Sequence, residues 1–70
     1  MKYGIVVVDG TEKKIMKKGM TFNKALMERN IMLRCYQKKG FRVHNQNDYV
    51  SLSKNAHEFG VYLVEQAWLK

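Results

Sequence analysis

Disulfide bonds and structural metal sites are two stabilising devices that this sequence lacks. Its single cysteine, Cys35, excludes an intrachain disulfide and any zinc site built on paired cysteines. The two histidines, His44 and His57, have no further ligand pattern around them, so we expect no metal site. A chain of 70 residues buries only about 60 % of the surface that it exposes when unfolded. Oligomerisation is the remaining way to add stability.

Proline and long apolar runs are also absent. A hydrophobic content of 46 % without proline is typical of a folded domain and not of a disordered segment. No apolar run approaches the roughly 20 residues needed to span a bilayer. Residues 1–10 lack the apolar core and the cleavage site of a signal peptide. We therefore expect one small domain over residues 1–70, located in the cytoplasm and not in a membrane.

Acidic residues are scarce, and the charges are unevenly distributed. The chain has 13 Lys and Arg against 6 Asp and Glu, which gives a net charge of +7. Residues 13–42 hold ten of these cations and a single acid, Glu28. A field of this kind attracts anionic partners. Most of the cations are lysines, and arginine is the residue that binds guanine and phosphate bidentately, so the composition favours nonspecific attraction over sequence readout.

The first third of the chain predicts a β-hairpin. Tyr3 to Val8 is rich in β-branched residues and apolar on both faces, which is typical of a central strand. Asp9-Gly10 is a hairpin turn signal. The returning strand, Glu12 to Lys18, carries four lysines, as edge strands often do.

The next predicted element is a helix from Phe22 to Lys39. Thr21 suits its N-cap, and Gly40 suits the position after a basic last turn. Helical spacing places the apolar residues on two separate faces. The broad face consists of Phe22, Ala25, Leu26, Met32, Leu33 and Tyr36. The narrow stripe, nearly opposite, consists of Met27, Ile31 and Cys35.

After the helix, apolar residues recur with a period of two, which predicts strands. A tight turn centred on Gln46-Asn47 would set Val43 opposite Val50 and Phe41 opposite Leu52.

The remaining residues predict one more strand and a short tail. Lys54 to Glu58 is predicted to be a polar connection, followed by a last strand, Phe59 to Gln66. Residues 67–69 are expected to fold back onto the core. The expected architecture is α+β, with a single helix packed on a small antiparallel β-sheet in the order β-β-α-β-β-β.

No pattern of catalytic residues is recognisable. Cys35 is typical of a packing residue, and Asp48 has no paired carboxylate in the sequence. We therefore expect no enzyme and no cofactor. The enzymatic alternative is a ribonuclease that depends on His44 or His57.

Binding of nucleic acid is the functional hypothesis. The first hairpin and the end of the helix are predicted to form one surface that contacts phosphates, with a tyrosine that stacks on a base. The candidate residues are Lys13, Lys14, Lys17, Lys18, Lys38, Lys39, Arg42 and Tyr49. Two alternatives remain: a module or inhibitor that docks on an acidic protein, by charge or by strand addition, and a basic face that only maintains solubility.

The narrow stripe of the helix predicts a second contact surface. In a homodimer with antiparallel helices about a two-fold axis at Ile31, Met27 meets Cys35 and Glu28 meets Arg34 of the second copy. The predicted interface therefore consists of Met27, Glu28, Ile31, Arg34 and Cys35. Alternatively, the first hairpin covers the stripe with Ile15 and Met16.

Overall fold

A computed structural model describes residues 1–46 and 49–68. Its elements are β1 (Tyr3–Asp9), β2 (Glu12–Met20), α1 (Phe22–Lys38), β3 (Arg42–Asn45), β4 (Tyr49–Lys54), β5 (His57–Glu65) and a 3-10 turn, Gln66–Trp68. The predicted α+β class and the predicted element order are confirmed.

The five strands form one antiparallel sheet in the order β2-β1-β5-β4-β3. The two strands that are apolar on both faces, β1 and β5, lie next to each other inside the sheet. The lysine-rich β2 and the short β3 are the two edges, so the prediction of β2 as an edge strand is confirmed. Pairing of β1 with β5 brings the first and the last strand together and completes the sheet.

The helix α1 begins at the predicted residue and ends one residue before the predicted end. The Oγ1 atom of Thr21 accepts a hydrogen bond from the Lys24 backbone N–H at 3.3 Å, which makes Thr21 the N-cap. After the C-cap, Lys39, the backbone of Gly40 has a φ of +97°. This left-handed conformation favours glycine and ends the helix.

The broad face of α1 packs against one face of the sheet. Ala25 and Leu33 are buried there, whereas Phe22 remains 47 % exposed. The ring of Tyr36 contacts Phe41 and Phe59 edge to face, with 5.3 Å between centroids in each pair. The sheet contributes most of the buried core: Ile5, Val50, Leu52, Phe59 and Val61.

The register of β3 and β4 differs from the prediction by two residues. Val43 lies opposite Leu52, and Val50 lies opposite Asn45. The backbone N–H of Gln46 donates to the carbonyl of Tyr49 at 2.9 Å, so Gln46 is paired across the hairpin and is not part of the turn centre expected from the sequence. The other residue of the predicted turn centre, Asn47, lies outside the described residues. A shift of two residues keeps every side chain on its face, and periodicity therefore does not reveal it.

The polar connection predicted at residues 54–58 is shorter in the structure. The strand β4 continues through Lys54, and β5 starts at His57. Only Asn55 and Ala56 separate the two strands, and Asn55 has a φ of +58°. A two-residue hairpin turn needs such positive φ values, which Asn tolerates better than most residues.

Candidate interaction surfaces on the two sides of the sheet

One face of the sheet carries α1, and the opposite face has no helix packed on it in the described parts of the chain. We call this second side the open face. Directly opposed residues of antiparallel strands share a face. Val6 lies opposite Ile15 of β2 and Tyr62 of β5, and Tyr62 lies opposite Tyr49 of β4. An apolar and aromatic row therefore crosses four strands of the open face.

A second row crosses all five strands beside the first. It consists of Lys13, Val8, Gly60, Ser51 and His44, each directly opposite the next. Lys13 lies at one edge of the sheet, and His44 lies at the other. Arg42 shares the β3 edge and the open face with His44, because it is two residues away in the same strand. Both edges of the open face thus carry basic side chains.

The two tyrosines of the open face stack on each other above Gly60. Their ring centroids are 4.7 Å apart, and the ring planes differ by 15°. A Cβ atom on Gly60 would lie 3.0 Å from Tyr62 and 3.1 Å from Tyr49. The absence of a side chain at this position therefore gives both rings room to lie close to the backbone.

Beneath this pair, Ser51 lies opposite Gly60 and is 4 % exposed. Its Oγ atom has no hydrogen-bond partner among the described residues. Buried hydroxyl groups normally have a partner. The floor of the open face thus contains an unsatisfied hydrogen-bonding group.

A groove on the open face runs between Tyr62 and the 3-10 turn. It has a volume of about 250 Å³ and is lined by Val6, Val8, Lys13, Tyr62, Val64 and Trp68. The sequence predicted that Trp68 folds back onto the core, but its side chain is 75 % exposed. The backbone N–H of Gln66 donates to the Lys2 carbonyl at 2.8 Å, which ties the turn to the chain just before β1. Leu69, which was expected to join Trp68, lies outside the described residues.

On the other side of the sheet, the narrow stripe of α1 is exposed. Met27 and Ile31 are 54 % and 50 % exposed, and Cys35 is also exposed. The first hairpin therefore does not cover the stripe as the alternative prediction had it. Ile15 belongs to the open face, and Met16 lines a groove of about 290 Å³ between β2 and α1. We call this the helix groove; its lining consists of Met16, Lys17, Glu28, Ile31, Met32, Cys35, Tyr36 and Lys39.

Glu28 connects β2 to α1 at the helix groove. Its carboxylate is 2.8 Å from the Lys17 ammonium and 3.6 Å from the Lys24 ammonium. The hydrogen bond from Lys17, together with the positive charges of Lys17 and Lys24, lowers the pKa of Glu28. The sequence predicted that Glu28 meets Arg34 of a second copy. In the structure this carboxylate already has two partners in its own chain.

The predicted basic surface is divided by the fold. The edges β2 and β3 lie four strand spacings apart, about 19 Å. The structure therefore does not bring Arg42 together with the lysines of β2. Lys13 lies on the open face, as do Arg42 and Tyr49, whereas Lys14 and Lys17 lie opposite Val7 and Ile5 on the face of α1.

The other predicted cations lie near α1 or late in β2. Lys39 lies 5.8 Å from the ring centroid of Tyr36, close to the helix groove. Lys38 is in the last turn of α1, and Lys18 is in the irregular part of β2. The strand register does not place any of these three lysines beside Tyr49, with which they were predicted to form one surface.

One of the two candidate histidines, His57, has a side-chain partner in the structure. His57 and Asp9 join two hairpin ends through a 2.8 Å contact between Nε2 and Oδ2. Asp48 lies outside the described residues. Within residues 1–46 and 49–68, no three His, Cys, Asp or Glu side chains are grouped to hold a metal ion. The helix of this region is neither long nor apolar enough to cross a membrane.

Comparison with protein-family models, curated proteins and solved structures finds no match to this chain. The interaction surfaces are therefore interpreted from their own chemistry. Sequence reasoning named Tyr49 but missed Tyr62 and Trp68. The alternation of Gly60, Tyr62 and Val64 against Phe59 and Val61 contained a signal for Tyr62. No comparable signal marked Trp68, because its position depends on the turn after β5.

Proposed function

We propose that the protein binds single-stranded nucleic acid on the open face. The main supporting observation is the aromatic content of this sheet face, where Tyr49, Tyr62 and the exposed Trp68 lie and which no α-helix of the described residues covers. Every nucleobase has a π face, so stacking on such side chains is favourable for many sequences. A duplex keeps its bases stacked inside and presents mainly its backbone, which fits this surface less well.

The basic side chains at both edges provide contacts for phosphates. Lys13 lines the groove beside Tyr62, and Arg42 and His44 lie at the opposite edge of the same face. A single strand that crosses the sheet would place bases over the aromatic row and phosphates near these two edges. The overall charge of +7 adds long-range attraction.

The proposal is for weakly sequence-selective binding in the cytoplasm. Stacking and lysine contacts discriminate little between bases, whereas specific readout needs donors and acceptors aimed at base edges. The Ser51 hydroxyl on the floor of the open face is 4 % exposed, so it is not accessible to a base edge. We therefore expect only modest differences in affinity between homopolymers.

Binding is measured by fluorescence anisotropy with labelled 12-nucleotide single strands of dT and rU, and with a duplex of equal length. We expect single strands to bind more tightly than the duplex, and their affinity to fall steeply between 50 and 200 mM salt. Lys13→Gln should reduce the salt slope by about 1. Lys14→Gln is the matched control, because this neighbouring lysine lies on the face of α1.

The aromatic contribution is measured with Tyr62→Leu, which keeps an apolar side chain but removes the stacking ring. We expect roughly tenfold or greater weakening, because one base–aromatic stack contributes about 1–3 kcal/mol. Tyr3→Leu is the control, because Tyr3 packs against Phe22 on the side of α1. Trp68→Ala gives a second variant at a 75 % exposed side chain, where folding is little affected. The proposal is contradicted if the parent protein and these three tyrosine and tryptophan variants bind with equal affinity. It is also contradicted if no salt-sensitive binding is measured.

A further inference from the structure

We propose that the helix groove binds an acidic, amphipathic peptide segment of another protein. This groove lies on the side of the sheet opposite the open face, so the inference does not rest on the proposed nucleic-acid binding. Its basis is the combination of an exposed apolar floor with a cationic surround.

The floor of the helix groove is apolar and accessible. Ile31 is 50 % exposed and Met16 is 40 % exposed, Cys35 is also exposed, and Met32 packs against the core. Methionine side chains adapt to different partner shapes, which suits a groove that receives a peptide. Helical partners commonly place apolar residues at spacings of three and four into such grooves.

The surround of the helix groove is almost entirely basic. Lys17 and Lys39 line it, and Lys24, Arg34 and Lys38 flank the narrow stripe on α1. Among the described residues, Glu28 is the one acidic side chain in the lining, and its charge is offset by Lys17 and Lys24. A partner with carboxylates beside its apolar residues would therefore match both the floor and the charge.

A second copy of this chain fits the groove less well. Two copies joined through α1 would bring Lys24 of one copy near Lys38 of the other, and the same basic surround would meet itself. Glu28, which was predicted to meet Arg34 of the second copy, is already paired within its own chain. The homodimer therefore stays a prediction from the sequence. The charges around the groove disfavour it.

Nucleic acid also fits the helix groove less well than an acidic peptide does. The lining contains one aromatic ring, that of Tyr36, which packs into the core against Phe41 and Phe59. It has no free ring on which a base stacks. Thioether and aliphatic groups form the floor instead, and these are better suited to apolar side chains.

The test uses a fluorescein-labelled 18-residue helical peptide with leucines along one face and glutamates along the other. A counterpart with lysine in place of each glutamate is the charge control. Titration of the full chain should show binding of the acidic peptide and at least tenfold weaker binding of the basic one. Met16→Ser should weaken binding of the acidic peptide by about tenfold, because it removes an apolar side chain from the lining of the groove.

Ile15→Ser is the matched control for Met16→Ser. The two residues are neighbours with nearly equal exposure, 41 % and 40 %, but Ile15 belongs to the open face. We expect Ile15→Ser to leave peptide affinity unchanged. Equal effects of both substitutions, or equal affinity for the two peptides, would overturn the proposal.

Two further measurements distinguish the other occupants. Light scattering reports the oligomeric state: a dimer that Met16→Ser converts to a monomer would show that a second copy fills the groove, against the proposal. A second measurement adds 12-nucleotide dT to the peptide complex. If dT displaces the peptide from the parent protein but not from Met16→Ser, nucleic acid occupies the helix groove, and the proposal is overturned. Peptide binding without any nucleic-acid binding would support the helix groove and contradict only the proposed function of the open face.

Discussion

At the scale of single residues, the open face depends on what Gly60 lacks. The rings of Tyr49 and Tyr62 occupy the space that a side chain at residue 60 would fill. Each ring also contacts the other by stacking. Glycine in a strand interior is normally unfavourable, and close approach of neighbouring groups is one reason for its presence.

We predict that Gly60→Ala destabilises the protein by about 1 kcal/mol, because the added methyl group forces both rings outward and this outweighs the entropic gain of alanine. Urea unfolding measures the stability, and near-UV circular dichroism follows the tyrosines. Gly10→Ala is the control for the tyrosine signal, since a Cβ atom there has no described residue other than its chain neighbours within 4 Å. Unchanged stability with an unchanged tyrosine spectrum would contradict this reading of the contact.

At the scale of elements, β2 contributes different side chains to the open face and to the side of the sheet that carries α1. Ile5 lies opposite Lys17, and Val6 lies opposite Ile15, so Met16 is an extra residue of a β-bulge. Bulges redirect side chains at sheet edges. This irregularity places Met16 beside α1 while Ile15 stays on the open face. Simple alternation along the sequence does not predict where such a bulge falls.

The helix α1 is the element that local sequence specifies best. We predict that Thr21→Ala lowers the free energy of unfolding by about 1 kcal/mol, because the Lys24 N–H loses its acceptor. Thr21→Ser retains a hydroxyl group and should lose much less. The midpoints of urea unfolding for the three proteins measure the difference. Equal midpoints for the alanine and serine variants would show that the cap contributes nothing measurable.

At the scale of the whole molecule, the ion pair between Glu28 and Lys17 links the first hairpin to the helix across the helix groove. Lys24 supports it from one turn earlier in α1. Because the lysine side chains are about half exposed, the contribution to stability is modest and sensitive to salt. The link positions two elements that otherwise have few contacts.

The lowered pKa of Glu28 gives this link a defined pH dependence. The stabilisation is complete above the ordinary pKa of 4.5 and is lost as the pH falls through the lowered value. Glu28→Gln should therefore be less stable than the parent at pH 7, and the difference should shrink below pH 4.5. Unfolding by urea at a series of pH values measures it, with Glu12→Gln as a control in the same hairpin. A stability difference that stays constant with pH would contradict the assignment.

The basic residues that are contiguous in the sequence are divided between separate surfaces in the folded molecule. Residues 13–42 read as one basic segment, which predicted one basic surface. Folding places Lys13 and Lys14 on opposite sides of the sheet and Arg42 at its other edge. The basic segment therefore contributes cations to two surfaces. One is the open face, which carries aromatic rings, and the other is the helix groove, which carries thioether and aliphatic groups.

The sequence alone determined those features that depend on neighbours in the chain. The apolar period of α1, its Thr21 cap, the Asp9-Gly10 turn and the central character of β1 follow from local propensity and alternation. These signals also determined the α+β class and the lysine-rich edge.

The tertiary structure decided everything that depends on residues distant in the chain. The pairing of β1 with β5, the bulge at Met16 and the register of β3 with β4 decide which side chains share a surface. Alternation specifies two faces of a strand but not which strand lies beside it, and a shift of two residues leaves the pattern unchanged. For this reason the stacked Tyr49 and Tyr62, on strands paired by the fold, are visible only in the structure.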